Sequence, residues 1–413
     1  MEPGTNGGAA SAVLDGAADP AVRPFRIAVP TAELDDLHDR IRRTRWPSSW
    51  SDDSWTRGVP VGYLRHLTSY WLHHYDWRRA ESELNEIPQL LVTIDDQPIH
   101  VMYLRSPEPN AIPLVLTHGW PSSGVEFLRL IGPLTDPRAH GVDPDTAFDV
   151  VIPTLPGYGF SSPLGRPGWG NLFRVAQAWD ELMHRLGYHR YAVHGTDAGS
   201  GVAGLLGMVA GDRVIGIHLT GTSAAMPFGP ALALDGFSEA DRVRAERFNA
   251  LQQDGLGYLH LQATRPQTLG YALNDSPVGQ LAWMVEKFRE WTDPARELPE
   301  DAVDLDHLLT SVSITWFNDA GAASAQAVYE GMQVYREMVA SWDAGSAHDR
   351  PAGPPTAYAV FAADTSIRSL AEAAGRVDRW TTFDVGGHFP AMEVPGLLVA
   401  DLRAFFADVR SGV

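Results

Sequence analysis

Asp197 stands between two glycines in His194-Gly195-Thr196-Asp197-Ala198-Gly199-Ser200. The apolar lead-in Tyr191-Ala192-Val193 reads as the end of a buried strand, and Val202 to Met208 reads as a helix. A sharp strand-to-helix turn brings backbones together, so a Cβ at either flank would clash. The helix N-terminus supplies free N–H groups beside the central side chain. Turns of the form G-x-nucleophile-x-G present a serine in esterases. A carboxylate in that place attacks sp³ carbon and leaves an alkyl ester on the chain. Such chemistry suits opening a strained ether or displacing a halide better than cleaving a peptide or ester. The blander reading is an aspartate that caps a helix; the strand, the helix and both glycines together weigh against it.

Three further groups have the types this chemistry needs. His388, in Gly386-Gly387-His388-Phe389, follows a strand near the C-terminus and could take a proton from water. Asp364 ends the strand Tyr358 to Phe361, where an acid would orient that histidine, with Glu372 and Glu393 as competitors. The chain order nucleophile, acid, histidine is the order of one hydrolase sheet architecture. The turn His118-Gly119-Trp120-Pro121 follows the first long apolar strand, so the backbone N–H groups of Trp120 and Ala198 are candidates for an oxyanion hole. Ser200 falls inside the helix and reads as structural. His73 and His74 adjoin on one helix and point to different faces, which makes them poor co-ligands for a metal.

Positioning these groups takes alternating strands and helices. Residues 91–104 alternate as a hairpin with Asp95-Asp96 at the turn. Strands follow at 113–117, 148–153 and 191–193, with helices at 125–134 and 172–186 between them. This alternation argues for a parallel sheet wound in right-handed βαβ units. After the strand Ile215 to Thr220 it stops, and residues 226–354 read as a helical, aromatic-rich cap. The sheet resumes at Thr356 to Phe361 and Trp380 to Phe383, before a closing helix, Pro395 to Phe406. Residues 24–92, with Thr31 as a helix N-cap and a second amphipathic helix from Val61 to Tyr75, are aromatic-rich and Trp-dense; they cannot bury themselves alone and should wrap another part of the chain. The expected division is a disordered tail over 1–23, the wrapping segment over 24–92, a core over 93–225 and 355–413, and the cap over 226–354. The 413 residues, 44% hydrophobic and 20% charged, fit a globular protein. A net charge of −19 argues against nucleic acid or anionic membrane as partner. The absence of cysteine excludes disulfides, thiol catalysis and thiolate metal sites. No apolar run reaches the roughly 18 residues of a membrane helix, and no signal peptide is evident, so a cytoplasmic protein is expected.

In these motifs the chain resembles the epoxide hydrolases of the microsomal type, which have the α/β-hydrolase fold. The likeness spans about residues 24–410. It takes in Arg45-Trp46-Pro47, His118-Gly119-Trp120-Pro121, Gly157-Tyr158-Gly159-Phe160-Ser161 and the Asp197 turn. It continues through Gly257 to Pro266, Ala272 to Gly279 and Gly386-Gly387-His388-Phe389. The resemblance implies hydrolysis of a hydrophobic epoxide to a vicinal diol through an ester on Asp197, with His388 and Asp364 activating water. It implies two cap tyrosines on the epoxide oxygen; Tyr258 and Tyr329 match by motif, and Tyr271 is the rival to Tyr329. Trp120, Trp283 and Phe317 are candidates for the pocket lining. No cofactor or metal is implied. Water and the epoxide are the partners, a homodimer is left open, and natural-product tailoring and detoxification both fit. Three departures stand out: Ala198 replaces the family's usual Trp, the acid is Asp where membrane-bound animal members have Glu, and their N-terminal anchor is missing, which implies a soluble enzyme. A haloalkane dehalogenase-type hydrolase and a non-catalytic ligand-binding relative are the alternatives. An ester hydrolase is disfavoured by Asp at the centre of the turn.

Overall fold

A computed structural model describes residues 21–48, 54–223, 225, 228–341 and 353–411. These form a nine-stranded sheet in the order β1-β2-β3-β5-β4-β6-β7-β8-β9. β1 (Val22–Phe25), β2 (Gln89–Ile94) and β3 (Gln97–Leu104) are antiparallel to their neighbours, and β3 pairs antiparallel with β5 (Phe148–Pro153). The remaining pairings, through β4 (Ile112–Thr117), β6 (Tyr191–Thr196), β7 (Val214–Thr220), β8 (Thr356–Val360) and β9 (Arg379–Thr382), are all parallel. The α/β class and its mostly parallel sheet therefore agree with the sequence pattern. The hairpin turn is at Asp95-Asp96, with φ of 48° and 62°, the left-handed pair that a two-residue turn between twisted strands needs.

Two details differ from expectation. The tail does not run to residue 23, since Val22 and Arg23 already belong to β1, paired with Val92 and Leu91; residues 1–20 lie outside the described part. Thr31 is the first residue of helix α1 (Thr31–Arg42), and Pro30 occupies the cap position without a side-chain cap bond. Proline's fixed φ makes it a natural lead into a first turn.

Helices α2 (Val61–His73) and α3 (Trp77–Leu84) complete the N-terminal segment. On one face of the sheet α5 (Leu172–Arg185) and α6 (Ala198–Val209) bury Trp179, Leu182 and Val202 against β6. On the other face α4 (Leu128–Thr135) and the C-terminal helix (Pro395–Ser411) bury Leu130, Leu402 and Phe406. Between β7 and β8 comes a run of helices, among them α7 (Gly257–Gln262), α8 (Pro266–Asp275), α9 (Pro277–Trp291), α10 (Leu305–Phe317) and α11 (Ala320–Ser341). A separate core joins this insertion to the N-terminal segment: Leu67 and Trp71 of α2 pack with Leu281 and Phe288 of α9 and Leu309 of α10. The Trp71 indole N–H donates to Ser313 Oγ at 3.1 Å, and the phenols of Tyr63 and Tyr70 donate to Glu300 and Asp306. Among the described residues no helix is long and apolar enough to cross a membrane.

Candidate active site

β4 lies between β5 and β6, so successive parallel strands are laid down on opposite sides of it, the kind of point where ligands bind beyond the strand carboxyl ends. The candidate groups gather at that end. Trp120 follows β4, Asp197 follows β6, Asp364 follows β8 and His388 follows β9. The turn at Asp197 is as tight as its glycines suggest. A Cβ on Gly195 would meet Gly199 O at 2.0 Å, and one on Gly199 would meet Thr117 O at 2.0 Å. Asp197 itself has φ 53° and ψ −125°, a region that costs a non-glycine residue on the order of 1–3 kcal/mol. The Ser200 hydroxyl donates to Asp197 O at 2.6 Å, a structural role within the turn.

The Asp197 carboxylate has two different oxygens. Oδ1 accepts the Trp120 N–H at 3.0 Å, and the Ala198 N–H also bonds the carboxylate. Gly119 makes room for it, since a Cβ there would lie 2.2 Å from Oδ1. Oδ2 lies 3.4 Å from His388 Nε2. That is an ion-pair distance without hydrogen-bond alignment, and Nε2 is buried with no hydrogen-bond partner. Burial would push the Asp197 carboxyl up; the adjacent His388 and the two backbone N–H groups outweigh it and hold the carboxyl below its ordinary range. For His388, burial opposes the charged form, yet Asp197 beside it, with Asp364 and Glu126 further off, raises the imidazole above its ordinary value. The His388 N–H donates to Trp291 O at 2.8 Å.

Asp364 is 5% exposed, and its Oδ2 accepts the Phe361 N–H at 2.8 Å. No hydrogen bond joins it to His388 in this arrangement, but the two interact electrostatically, and burial raises the carboxyl to about 6. Of its competitors, Glu372 pairs with Arg368 on the surface. Glu393 spends its oxygens on the Asp293 and Phe389 N–H groups, with burial raising it to about 7.

Tyr258, on α7, stacks on Trp120 at 4.8 Å between centroids and meets Trp291 edge-on at 5.3 Å. Burial first, then the Asp197 charge, then Tyr158 and Glu290, keep its phenol far above its usual range, hence protonated. Tyr329 sits half-buried on α11, and no hydrogen bond or ring contact ties it to the nucleophile in this arrangement. Its rival Tyr271 is 72% exposed on α8 and does not line the cleft beside Trp120. Trp120 and Trp283 line a narrow cleft between sheet and insertion, together with Tyr158, Leu273 and Met284. The Trp283 Nε1 is buried without a partner. Phe317 does not line this cleft. It packs on Trp77 at 4.9 Å and belongs to the core that joins the insertion to the N-terminal segment. A larger groove beside Arg79 and Arg129 contains none of the residues singled out by sequence.

Three groups near the nucleophile had not been singled out. Tyr158, 6% exposed, packs edge-on against His118 and is held protonated by burial and the Asp197 charge. Glu126 is 1% exposed, its Oε1 has no partner, and burial raises it to about 8. Its signal was a lone acid in the apolar run after the His118 turn. Lys287 reaches Tyr258 from α9. Among the described residues no cluster of His, Cys, Asp or Glu is arranged to hold a metal ion.

Residues 22–127 match the family model for the epoxide hydrolase N terminus, and residues 112–253 match that for the alpha/beta hydrolase fold. The chain is 40% identical to a protein of Stigmatella aurantiaca named "Putative epoxide hydrolase", over 94% of this chain and 86% of that one. It is 31% identical to "Epoxide hydrolase 1" of Oryctolagus cuniculus, over 96% and 90% of the two chains. The solved structure of Aspergillus niger epoxide hydrolase superposes with a TM-score of 0.79 at 30% identity, over 94% of this chain and 96% of that one.

Proposed function

We propose, from the premise that this chain belongs to the epoxide hydrolase family and hydrolyses epoxides, that it does so through a covalent ester on Asp197. In the first half-reaction Oδ2 attacks one epoxide carbon, and the C–O bond breaks away from it. The departing oxygen takes the proton of Tyr258, with Tyr329 as the second donor. A phenol suits the task because it stays protonated at neutral pH yet can donate to an alkoxide. The product is a hydroxyalkyl ester whose carbonyl oxygen, Oδ1, is still held by the N–H groups of Trp120 and Ala198.

The second half-reaction adds water to that ester. His388 Nε2 takes the proton as the water oxygen bonds to the Asp197 carboxyl carbon. The two N–H groups receive the charge on Oδ1. Collapse releases the diol, protonated by His388, and restores Asp197 with one oxygen from water, while the water's second proton makes good the one that Tyr258 gave up. Alkylation removes the negative charge that had raised His388, so its pKa falls and the imidazole becomes a neutral base at the step that needs one. Asp364 stabilises the imidazolium that follows. The aromatic and apolar lining points to a hydrophobic epoxide.

The observation that carries this reading is the asymmetry of the Asp197 carboxylate, with one oxygen bonded by backbone and the other 3.4 Å from an unpartnered histidine nitrogen. Replacing Asp197 by Ala should abolish turnover. Replacing His388 by Gln should trap the ester, seen in intact-protein mass spectra as a gain equal to the substrate mass. In ¹⁸O-water, single turnover of the unaltered enzyme should put label into Asp197 and leave the first diol unlabelled. Label in the first diol would mean direct attack by water and would end the covalent scheme.

A further inference from the structure

The chain has 31 arginines and a single lysine, Lys287. Its composition uses arginine wherever a surface charge is wanted, so the one ammonium is informative. It is not on the surface: the side chain is 4% exposed. Nζ lies 2.9 Å from Glu286 Oε1 and 2.7 Å from Glu290 Oε2. It also sits 5.1 Å over the ring centroid of Tyr258 and 6.0 Å from that of Trp291. The Tyr258 ring is thus stacked on Trp120 and has a cation over its π-system.

We infer that Lys287 is a positioning residue for ring opening, acting through Tyr258. A cation over an aromatic face is attracted to the ring's electron density. When the phenol gives its proton to the opening epoxide, that density rises, and the attraction strengthens in the transition state. The two glutamates, themselves partly exposed, fix the ammonium in place, so the buried cation is not left unpaired. A guanidinium is flat and wider; three compact N–H donors serve two carboxylates and a ring face from one point. Lys287 touches neither Asp197 nor His388 in this arrangement. Its effect therefore belongs to ester formation and not to ester hydrolysis.

This inference rests on Tyr258 being the proton donor, and the test separates the two. Rapid-quench single turnovers with styrene oxide as the probe give the rates of ester formation and ester hydrolysis. Lys287→Met should slow formation about tenfold, the reach of a desolvated cation–π contact, while hydrolysis stays within about twofold. Lys287→Gln, which keeps a donor for the glutamates but not the charge, should behave alike. In a Tyr258→Phe background the same lysine substitution should add less than about twofold, because its route is gone. An unchanged formation rate in Lys287→Met, an undiminished effect in the Tyr258→Phe background, parallel loss of both half-reactions, or failure of both lysine variants to fold would overturn the inference. A Tyr258→Phe enzyme with normal ester formation would instead remove the donor role itself, and the inference with it.

Discussion

The chemistry proposed for Asp197 depends on a backbone conformation that side chains seldom adopt. In the proposed cycle the same carboxylate favours the charged form of His388 before alkylation and ceases to do so afterwards, so one bond changes the role of both. The histidine's acid partner is the point where geometry leaves two carboxyls in contention by charge alone. Asp364 should slow ester hydrolysis on the order of 10²- to 10⁴-fold when changed to Asn, as loss of the orienting acid does in a triad, and should leave ester formation nearly intact. Glu393→Gln should change either half-reaction far less, since its oxygens already hold backbone N–H groups. Single-turnover rates for the two variants check this. Asp197, His388 and Trp120 were legible in the sequence because glycines and strand ends mark them locally. Glu126, Tyr158 and Lys287 were not, because their surroundings come from other elements: Lys287 meets Tyr258 29 positions away, on a different helix.

Elements were legible in proportion to how far their own residues dictate them. The long central strands, the hairpin and the closing helix follow from periodicity. β1 did not, because four residues with exposed middle positions show no alternation, and only pairing with β2 makes them a strand. Phe317 was misassigned for a related reason. α10 is buried on nearly every side from Leu308 to Ile314, so no stripe in its sequence says which side chain faces the cleft. The Trp-dense sequence of the N-terminal segment pointed to burial against another part of the chain, and its chief anchor is Trp71, 1% exposed and bonded to Ser313. Trp71→Ala should cost about 3–5 kcal/mol, as large-to-small changes in a core do. The loss should appear in urea unfolding as a lowered midpoint. A fall in midpoint below about 1 kcal/mol equivalent would mean that the segment is not integral to the insertion's core.

Across the whole molecule the buried acids set the pH at which folding is favoured. Glu126, Glu393 and Asp364 are raised from 4.5, 4.5 and 3.8 to about 8, 7 and 6. The unfolded chain releases these protons first, so their stabilising contribution is full below about pH 4 and drains away as pH rises through the raised values. His388, also raised, has its contribution in full below 6.5 and loses it on the same side. Asp197 and Asp401, both lowered, act oppositely, contributing above 3.8 and losing that contribution in stronger acid. Stability should therefore peak near pH 4 and decline from there to about pH 8. Glu126→Gln, which is neutral at every pH, should flatten part of that decline. Urea midpoints at pH 5, 6, 7 and 8 for both proteins measure it; identical slopes would show that Glu126 does not titrate between those limits.

The N-terminal segment is fastened at both ends of its reach. β1 is stitched to the sheet edge through β2, while α1 and α2 are packed into the insertion, with Arg40 bonded to Asp275. One continuous strap thus crosses from floor to roof, and the roof cannot lift as a rigid flap without unzipping that edge. Traffic of epoxide inward and diol outward must then pass by side-chain displacement along the cleft, which makes the bore of that passage, and not a hinge, the arbiter of which molecules are admitted.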